Sequence, residues 1–332
     1  PESRNSLISF LEKNGLGYDN NLEYSIVLTD EDNAMAATGS FEGKVLKCLA
    51  VSDKYKNMGL SSKIITSLIN EQISRGRSHL FLFTKPKSSK MFEELGFYKI
   101  EEACNKVVLL ENRKNGLSNF ISGIKKVSHR NIGSVVLNAN PFSLGHLHLI
   151  QYAATKCDYL YIFVVGEDKS AFPSQVRYEL VKKGTSDIKN VGIYLSNDYI
   201  ISSATFPTYF LKQEDNLEEI FSTLDLNIFA KHIAPELNIT RRFVGEEPYC
   251  KVTSTYNNTM KEILPKYNIE VDCIKRKSVN DEIISASTIR KYIKEDRLEE
   301  VKKLLPQSTY NYLVSDESIE IINKIRSSNS RH

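Results

Sequence analysis

Two hydroxyl-bearing turns carry the residues best suited to chemistry. The first lies in residues 138–150 (NANPFSLGHLHLI), which follow the short apolar run 133–138 (GSVVLN) and pass into apolar residues at helical spacing from Leu147 onward. A β-branched run of that length suits a buried parallel strand, so residues 140–146 form a strand-to-helix turn. Pro141 and Gly145 shape it, and the first amides of the new helix offer a partial positive charge of about half a unit. The expected guest is an anion. His146, on the first helical turn, is a donor able to hold a phosphate oxygen whose charge grows during substitution at phosphorus. Read alone, the same residues also fit a helix-capping Ser143 beside a partly buried histidine.

The second turn is residues 284–290 (ISASTIR). Ser285, Ser287 and Thr288 open a helix and Arg290 stands on its first turn, a cradle for departing phosphates. Alone, this is an N-cap before an amphipathic helix (Ile289, Tyr292, Ile293) with a surface charge. In this order, with further strands between them, the two turns resemble the T/H-x-G-H and I-S-S-T-x-I-R signatures of the nucleotidyltransferase superfamily. Gly145 and His146 match the first fully; Ser143, at its first position, keeps a hydroxyl.

The elements needed to position these turns follow from the rest of the chain. From Asn131, strands at residues 159–165, 191–195, 242–245 and 269–274 alternate with helical stretches, as in a doubly wound parallel sheet. Upstream, helices at 5–14, 60–73 and 90–95 and strands at 24–29, 44–51, 79–84 and 106–110 read as a separate mixed α/β unit. Residues 111–130 lack a sustained pattern and read as a boundary or an irregular connector. The expected division is therefore 1–112, a connector over 113–130, and 131–332.

Composition sets limits. The 332 residues, 41% hydrophobic and 26% charged, suit a chain with more than one core. Forty-four basic and 41 acidic side chains leave a formal net charge of +3, too balanced for a nucleic-acid footprint. Five scattered cysteines without C-x-x-C spacing suggest neither a disulfide framework nor a zinc site. With no signal-like apolar start and no run of roughly eighteen apolar residues, no membrane contact is expected, and the cytoplasm is the expected location.

The first unit has a signature of its own in residues 49–61 (LAVSDKYKNMGLS), a strand ending in a loop that opens onto a helix. It resembles the R/Q-x-x-G-x-G/A loop of GNAT-type acetyltransferases, with Lys56 at the first position and Ser61 at the last, and residues 92–97 (FEELGF) resemble the later F/Y-x-x-x-G-F element. A GNAT-like domain followed by a T/H-x-G-H nucleotidyltransferase domain resembles the citrate lyase ligase family. Residues 138–146, 163–177, 199–212, 233–250 and 284–290 carry that likeness.

The resemblance implies an ATP-dependent reaction in two halves. Acetate attacks the α-phosphorus to give acetyl-adenylate and diphosphate, and a thiol then takes the acetyl group and releases AMP. That thiol ends the dephospho-coenzyme-A-like prosthetic group on the acyl carrier subunit of citrate lyase. His146 and Ser143 are implied at the phosphates, with Gly145 permitting close approach. Ser285, Ser287, Thr288 and Arg290 would hold the leaving diphosphate. Lys169 and Arg177 are candidate phosphate cations, each equally readable as surface charge. Asn140 and Phe142, at the entry of the first turn, and Gly245 and Glu246, at a carboxyl end of the sheet, are candidate nucleotide contacts. Magnesium is implied with ATP, bridging phosphate oxygens without a carboxylate cage; Asp168 and Glu247 would stand only in its outer shell. Residues 199–212 (YIISSATFPTYFLK), apolar with interleaved hydroxyls, are the candidate acetate pocket. Two other enzymes stay open, a phosphopantetheine or nicotinate mononucleotide adenylyltransferase and an acetyltransferase using acetyl-coenzyme A, as does an ATP-binding protein with inactive sites.

Overall fold

Leu7, Phe10 and Leu11 recur at helical spacing and form the buried face of α1 (Glu2–Lys13). After it come β1 (Tyr24–Thr29), β2 (Met35–Glu42), β3 (Val45–Val51), α2 (Leu60–Ser74), β4 (Phe81–Thr84), α3 (Pro86–Glu94), β5 (Tyr98–Ala103) and β6 (Val107–Glu111). The computed structural model describes residues 2–167, 169–200, 206–212, 215–247, 251–279 and 282–327. These six strands form one sheet in the order β1-β2-β3-β4-β6-β5, antiparallel except at β3 and β4.

Two of its strands were not expected. β2 is built of small residues with no apolar period, yet it is buried because α2 lies directly on it. A Cβ at Gly39 would meet Ile64 Cγ2 at 2.4 Å and Leu68 Cδ1 at 2.9 Å, so only glycine admits that approach. β5 is charged along its length and pairs with β6 at the sheet edge. β3 and β4 pair in parallel only at Val45 with Phe81 and Leu46 with Leu82. Beyond those rungs their carboxyl halves part.

The stretch expected to be irregular contains α4 (Gly116–Ser122). Then follow β7 (Ile132–Leu137), α5 (Leu144–Thr155), β8 (Tyr159–Val164), α6 (Ser174–Gly184), β9 (Val191–Leu195), α7 (Leu217–Ile228), a π-helical turn (Phe229–Ile233), α8 (Ala234–Glu236), β10 (Arg241–Gly245), α9 (Lys251–Ile263) and β11 (Glu270–Ile274). A hairpin of β12 (Ser278–Val279) and β13 (Glu282–Ile283) leads into α10 (Ala286–Lys294), α11 (Leu298–Lys302), α12 (Gln307–Leu313) and α13 (Ile319–Ser327). The second sheet is wholly parallel, in the order β11-β10-β7-β8-β9. Strand succession runs outward from β7 on one side and resumes at β10 on the other. The crevice at the carboxyl ends of β7 and β10 is therefore the switch point at which such sheets take ligands.

Where the sequence suggested 1–112, a connector over 113–130, and 131–332, the contacts divide the chain discontinuously. One unit joins Pro1–Asn119 to Phe206–Asn227, and the other joins Phe120–Thr205 to Ile228–His332. The returning segment belongs to the first unit through specific contacts. Phe206 meets Phe83 edge-on at 5.7 Å, and the Gly17 amide donates to the Tyr209 carbonyl at 2.6 Å. Lys106 pairs with Asp215 at 2.8 Å, and Asn227 Nδ2 donates to the Glu102 carbonyl at 3.2 Å.

Candidate active site

Ser143 is the N-cap of α5, and its Oγ accepts the His146 amide at 3.4 Å. The cap is reciprocal, because the Ser143 amide donates to His146 Nδ1 at 3.1 Å. A backbone N–H can only donate, so Nδ1 carries no proton and the neutral ring bears its hydrogen on Nε2. Burial, then the positive charge of Arg276, pushes the His146 imidazole down to about 4 from 6.5. The ring is thus a neutral donor at physiological pH. Phe142 stacks behind it, centroids 6.1 Å apart, and is itself fully buried.

The second turn closes on the first. Ser285 is the N-cap of α10 and accepts the Thr288 amide at 3.0 Å, while its Oγ lies 2.8 Å from the Thr288 hydroxyl. Arg290 donates to the Asn140 carbonyl at 2.5 Å and reaches Ser287 Oγ at 3.4 Å. A Cβ at Gly145 would stand 3.3 Å from the Ile284 carbonyl oxygen. The motif glycine therefore serves the seam between the two turns, whatever it also offers a ligand. His146, Ser143, Arg290, Ser285, Ser287 and Thr288 come together at the β7 switch point.

Several expected nucleotide contacts take other positions. Arg177 is fully buried in α6 and binds carbonyls rather than facing the crevice: Phe172 at 2.9 Å, Asn138 at 2.8 Å, Val165 at 2.7 Å, and Glu167. It also holds the Asn138 side chain at 2.9 Å. A guanidinium so engaged staples the loops after β7 and β8 and has no fork left for phosphate. Asn140 is likewise buried, its Oδ1 accepting the Phe172 amide at 3.0 Å. Phe142 packs in the core. These three position the turn. Lys169 is exposed on the same loop, its amide 2.6 Å from Glu167 Oε1; Asp168 lies outside the described residues.

Gly245 and Glu246 end β10, where expected, and beside them stands a cation that the sequence reading missed. Arg276, just past β11, donates through Nε to the Glu246 carbonyl at 2.6 Å and pairs with the Glu247 carboxylate. Its only signal is the run Lys275-Arg276-Lys277 directly after a strand. Glu247 is thus tied to a cation rather than facing a metal. Among the described residues no group of three or more His, Cys, Asp or Glu side chains is arranged to hold an ion. No helix among the described residues is long and apolar enough to cross a membrane.

The first unit holds a cavity of about 580 Å³. It opens where β3 and β4 part, between Leu49, Ala50 and Val51 on one side and Phe83 and Thr84 on the other. Gly59 caps α2 at φ 74° with no side-chain cap, so the first amides of α2 lack a side-chain acceptor, and Gly59, Leu60 and Ser61 line the cavity. Tyr209 and Phe210 form part of the wall. That half of the expected acetate pocket therefore belongs to the first unit, while residues 201–205 of it lie outside the described residues.

Fold and site together define a nucleotidyltransferase-type sheet joined to an acetyltransferase-type unit. Residues 132–313 match the model of the citrate lyase ligase C-terminal domain, and residues 26–106 match that of the FR47-like proteins. Over 314 residues the chain is 40% identical to the [Citrate [pro-3S]-lyase] ligase of Haemophilus influenzae, covering 92% of this chain and 93% of that one. The protein of the same name from Escherichia coli is 38% identical over 92% of this chain and 89% of its own. The chain belongs to the citrate lyase ligase family.

Proposed function

We infer that the protein is an ATP-dependent ligase that joins acetate to a thiol borne by the acyl carrier subunit of citrate lyase, by way of acetyl-adenylate. One observation carries this reading: the neutral His146, its Nδ1 held by the Ser143 amide and its hydrogen on Nε2, stands on a turn that Arg290 ties to the Ser285 to Thr288 hydroxyls, at the switch point of a parallel sheet. An acetate oxygen is already a nucleophile, so the protein need only align it and stabilise charge. The oxygen forms a bond to the α-phosphorus as the bond from that phosphorus to the bridging oxygen breaks, and diphosphate leaves with the electron pair. His146 Nε2–H holds a phosphate oxygen through that step. Arg290 and the hydroxyls of Ser285, Ser287 and Thr288 receive the diphosphate, with Lys169 at the edge. Gly245 and Glu246 border the nucleoside. Magnesium bound with ATP would supply positive charge at its phosphates. The carrier thiolate then attacks the acetyl carbonyl, its proton having gone to solvent, and AMP departs.

The first unit takes the carrier's arm. Its uncapped α2 amides at Gly59 to Ser61 suit a diphosphate, and the gap between β3 and β4 suits a pantetheine chain. Cytoplasmic residence fits these substrates.

The test is product identity. Diphosphate release that requires acetate, with AMP and acetylated carrier as the other products, is the expected result. Release with phosphopantetheine or nicotinate mononucleotide instead, giving a dinucleotide product, would replace this reading with a cofactor adenylyltransferase, and acetyl transfer from acetyl-coenzyme A without ATP would replace it with an acetyltransferase.

A further inference from the structure

The mouth of the cavity in the first unit carries side chains that a pantetheine arm does not require. α3 contributes Lys85 at its N-cap, then Lys87 and Met91; the loop before α2 contributes Lys56, Asn57 and Gly59, and Met58, between the last two in the chain, is exposed outside the lining. Among the cavity-lining residues described, Glu94 is the sole carboxylate against Lys56, Lys85 and Lys87, and Lys56 is itself paired with Asp53, so Lys85 and Lys87 carry most of the positive charge. Lys212 adds a further positive charge near Lys85, whose ammonium is lowered first by burial and then by Lys87 and Lys212, with the Asp215 carboxylate opposing them. Met58 and Met91 are both unusually exposed for their size, at 63% and 39%.

Cations alone would suggest a phosphate pocket, but these cations are spread over two lips with exposed thioether side chains among them. Alternation of charge and adaptable apolar contact is the anatomy of a protein interface. We propose that this rim docks an acidic, amphipathic surface of the carrier protein, lysines against its carboxylates and Met58 and Met91 against its apolar face. The docking directs the arm into the cavity below. The proposal rests on the reading that the acetyl acceptor is borne by a protein.

The test compares the wild-type chain with Lys87→Glu/Met91→Ser and, as an independent variant on the other lip, Met58→Ser. Binding of fluorescently labelled carrier subunit is followed by anisotropy at rising salt. Acetylation of free dephospho-coenzyme A and acetate-dependent diphosphate release are measured beside it. The expected result is carrier affinity that falls with salt, is at least tenfold weaker in the double variant and severalfold weaker in Met58→Ser, with diphosphate release unchanged in both and free-thiol acetylation unchanged in Met58→Ser. Carrier affinity indifferent to both variants and to salt overturns the docking surface while leaving the ligase reading intact. Equal loss for free thiol and carrier also overturns it, because the rim would then hold the arm itself. Carrier binding that depends on the rim, with no acetylation by the wild type, would keep the docking surface and sink the ligase reading.

Discussion

The helices that start at the two proposed anion sites of this chain are capped in opposite ways. α5 and α10 begin with serines, Ser143 and Ser285, whose hydroxyls accept a first-turn amide. α2 begins at Gly59 with no side-chain cap, and its first residues line a cavity. A capped start has spent an amide on itself, so recognition passes to side chains, His146 and Arg290. An uncapped start keeps the amides for a ligand. Side-chain donors poised around a reacting phosphorus are suited to charge that appears in a transition state. A backbone cradle holds a charge that is already there. The comparison supports the proposed division, catalysis in the second unit and holding in the first.

The sharpest way to break that assignment is His146→Asn. An asparagine Oδ1 can still accept the Ser143 amide, so the cap survives while the Nε2–H donor is lost. Acetate-dependent diphosphate release should fall by about 10²–10³-fold, the range for deleting one donor to developing charge. Binding of free dephospho-coenzyme A, followed by calorimetry, should not change. Loss of that binding together with turnover would merge the two roles.

Gly59→Asp probes the other side and should have a smaller effect. Its φ of 74° disfavours any Cβ although space is open there, and a carboxylate would repel a diphosphate at the amides. Affinity for the arm should drop by about tenfold, roughly 1.4 kcal/mol, with diphosphate release from ATP and acetate retained. An unchanged affinity would remove the cradle from the first unit.

The sequence displays some of this directly, because the chemistry limits the residue types. A histidine at the third helical position with Gly145 before it, and three hydroxyls with Arg290, have few other uses in that order. The parallel strands were equally plain, since β7 and β8 are continuous apolar runs. Other features depend on partners that sequence does not name. Arg177 looks like any cation on a helix until four backbone carbonyls are folded around it. Residues 206–227 carry aromatics that pack equally well on any apolar surface, and partners such as Phe83, Gly17, Glu102 and Lys106 show that the surface is in the first unit. β2 hid because small residues chosen to admit α2 leave no period.

The smallest predicted effect separates the capped turn's geometry from its electrostatics. Arg276 touches neither Ser143 nor His146 through any described hydrogen bond; its charge alone bears on the imidazole, and Glu247 and the Glu246 carbonyl hold it in place. Because the folded midpoint of His146, about 4, lies below the 6.5 of an unfolded chain, the unfolded state binds the extra proton between those values. Stability is therefore lost as pH falls from 6.5 toward 4, and the activity of the folded enzyme should show no acid limb from this residue near 6.5. Arg276→Gln removes the repulsion but leaves the burial, which is the larger cause, so the midpoint should rise only part of the way. NMR titration of the His146 ring reads this directly, and diphosphate release at neutral pH should fall by about two- to fivefold, the scale of a partly exposed charge interaction. An unmoved midpoint would mean that burial alone sets the ring's state. The capped turn would then owe its neutral donor to packing against Phe142 and to the Ser143 amide, with Arg276 acting only on the nucleotide side.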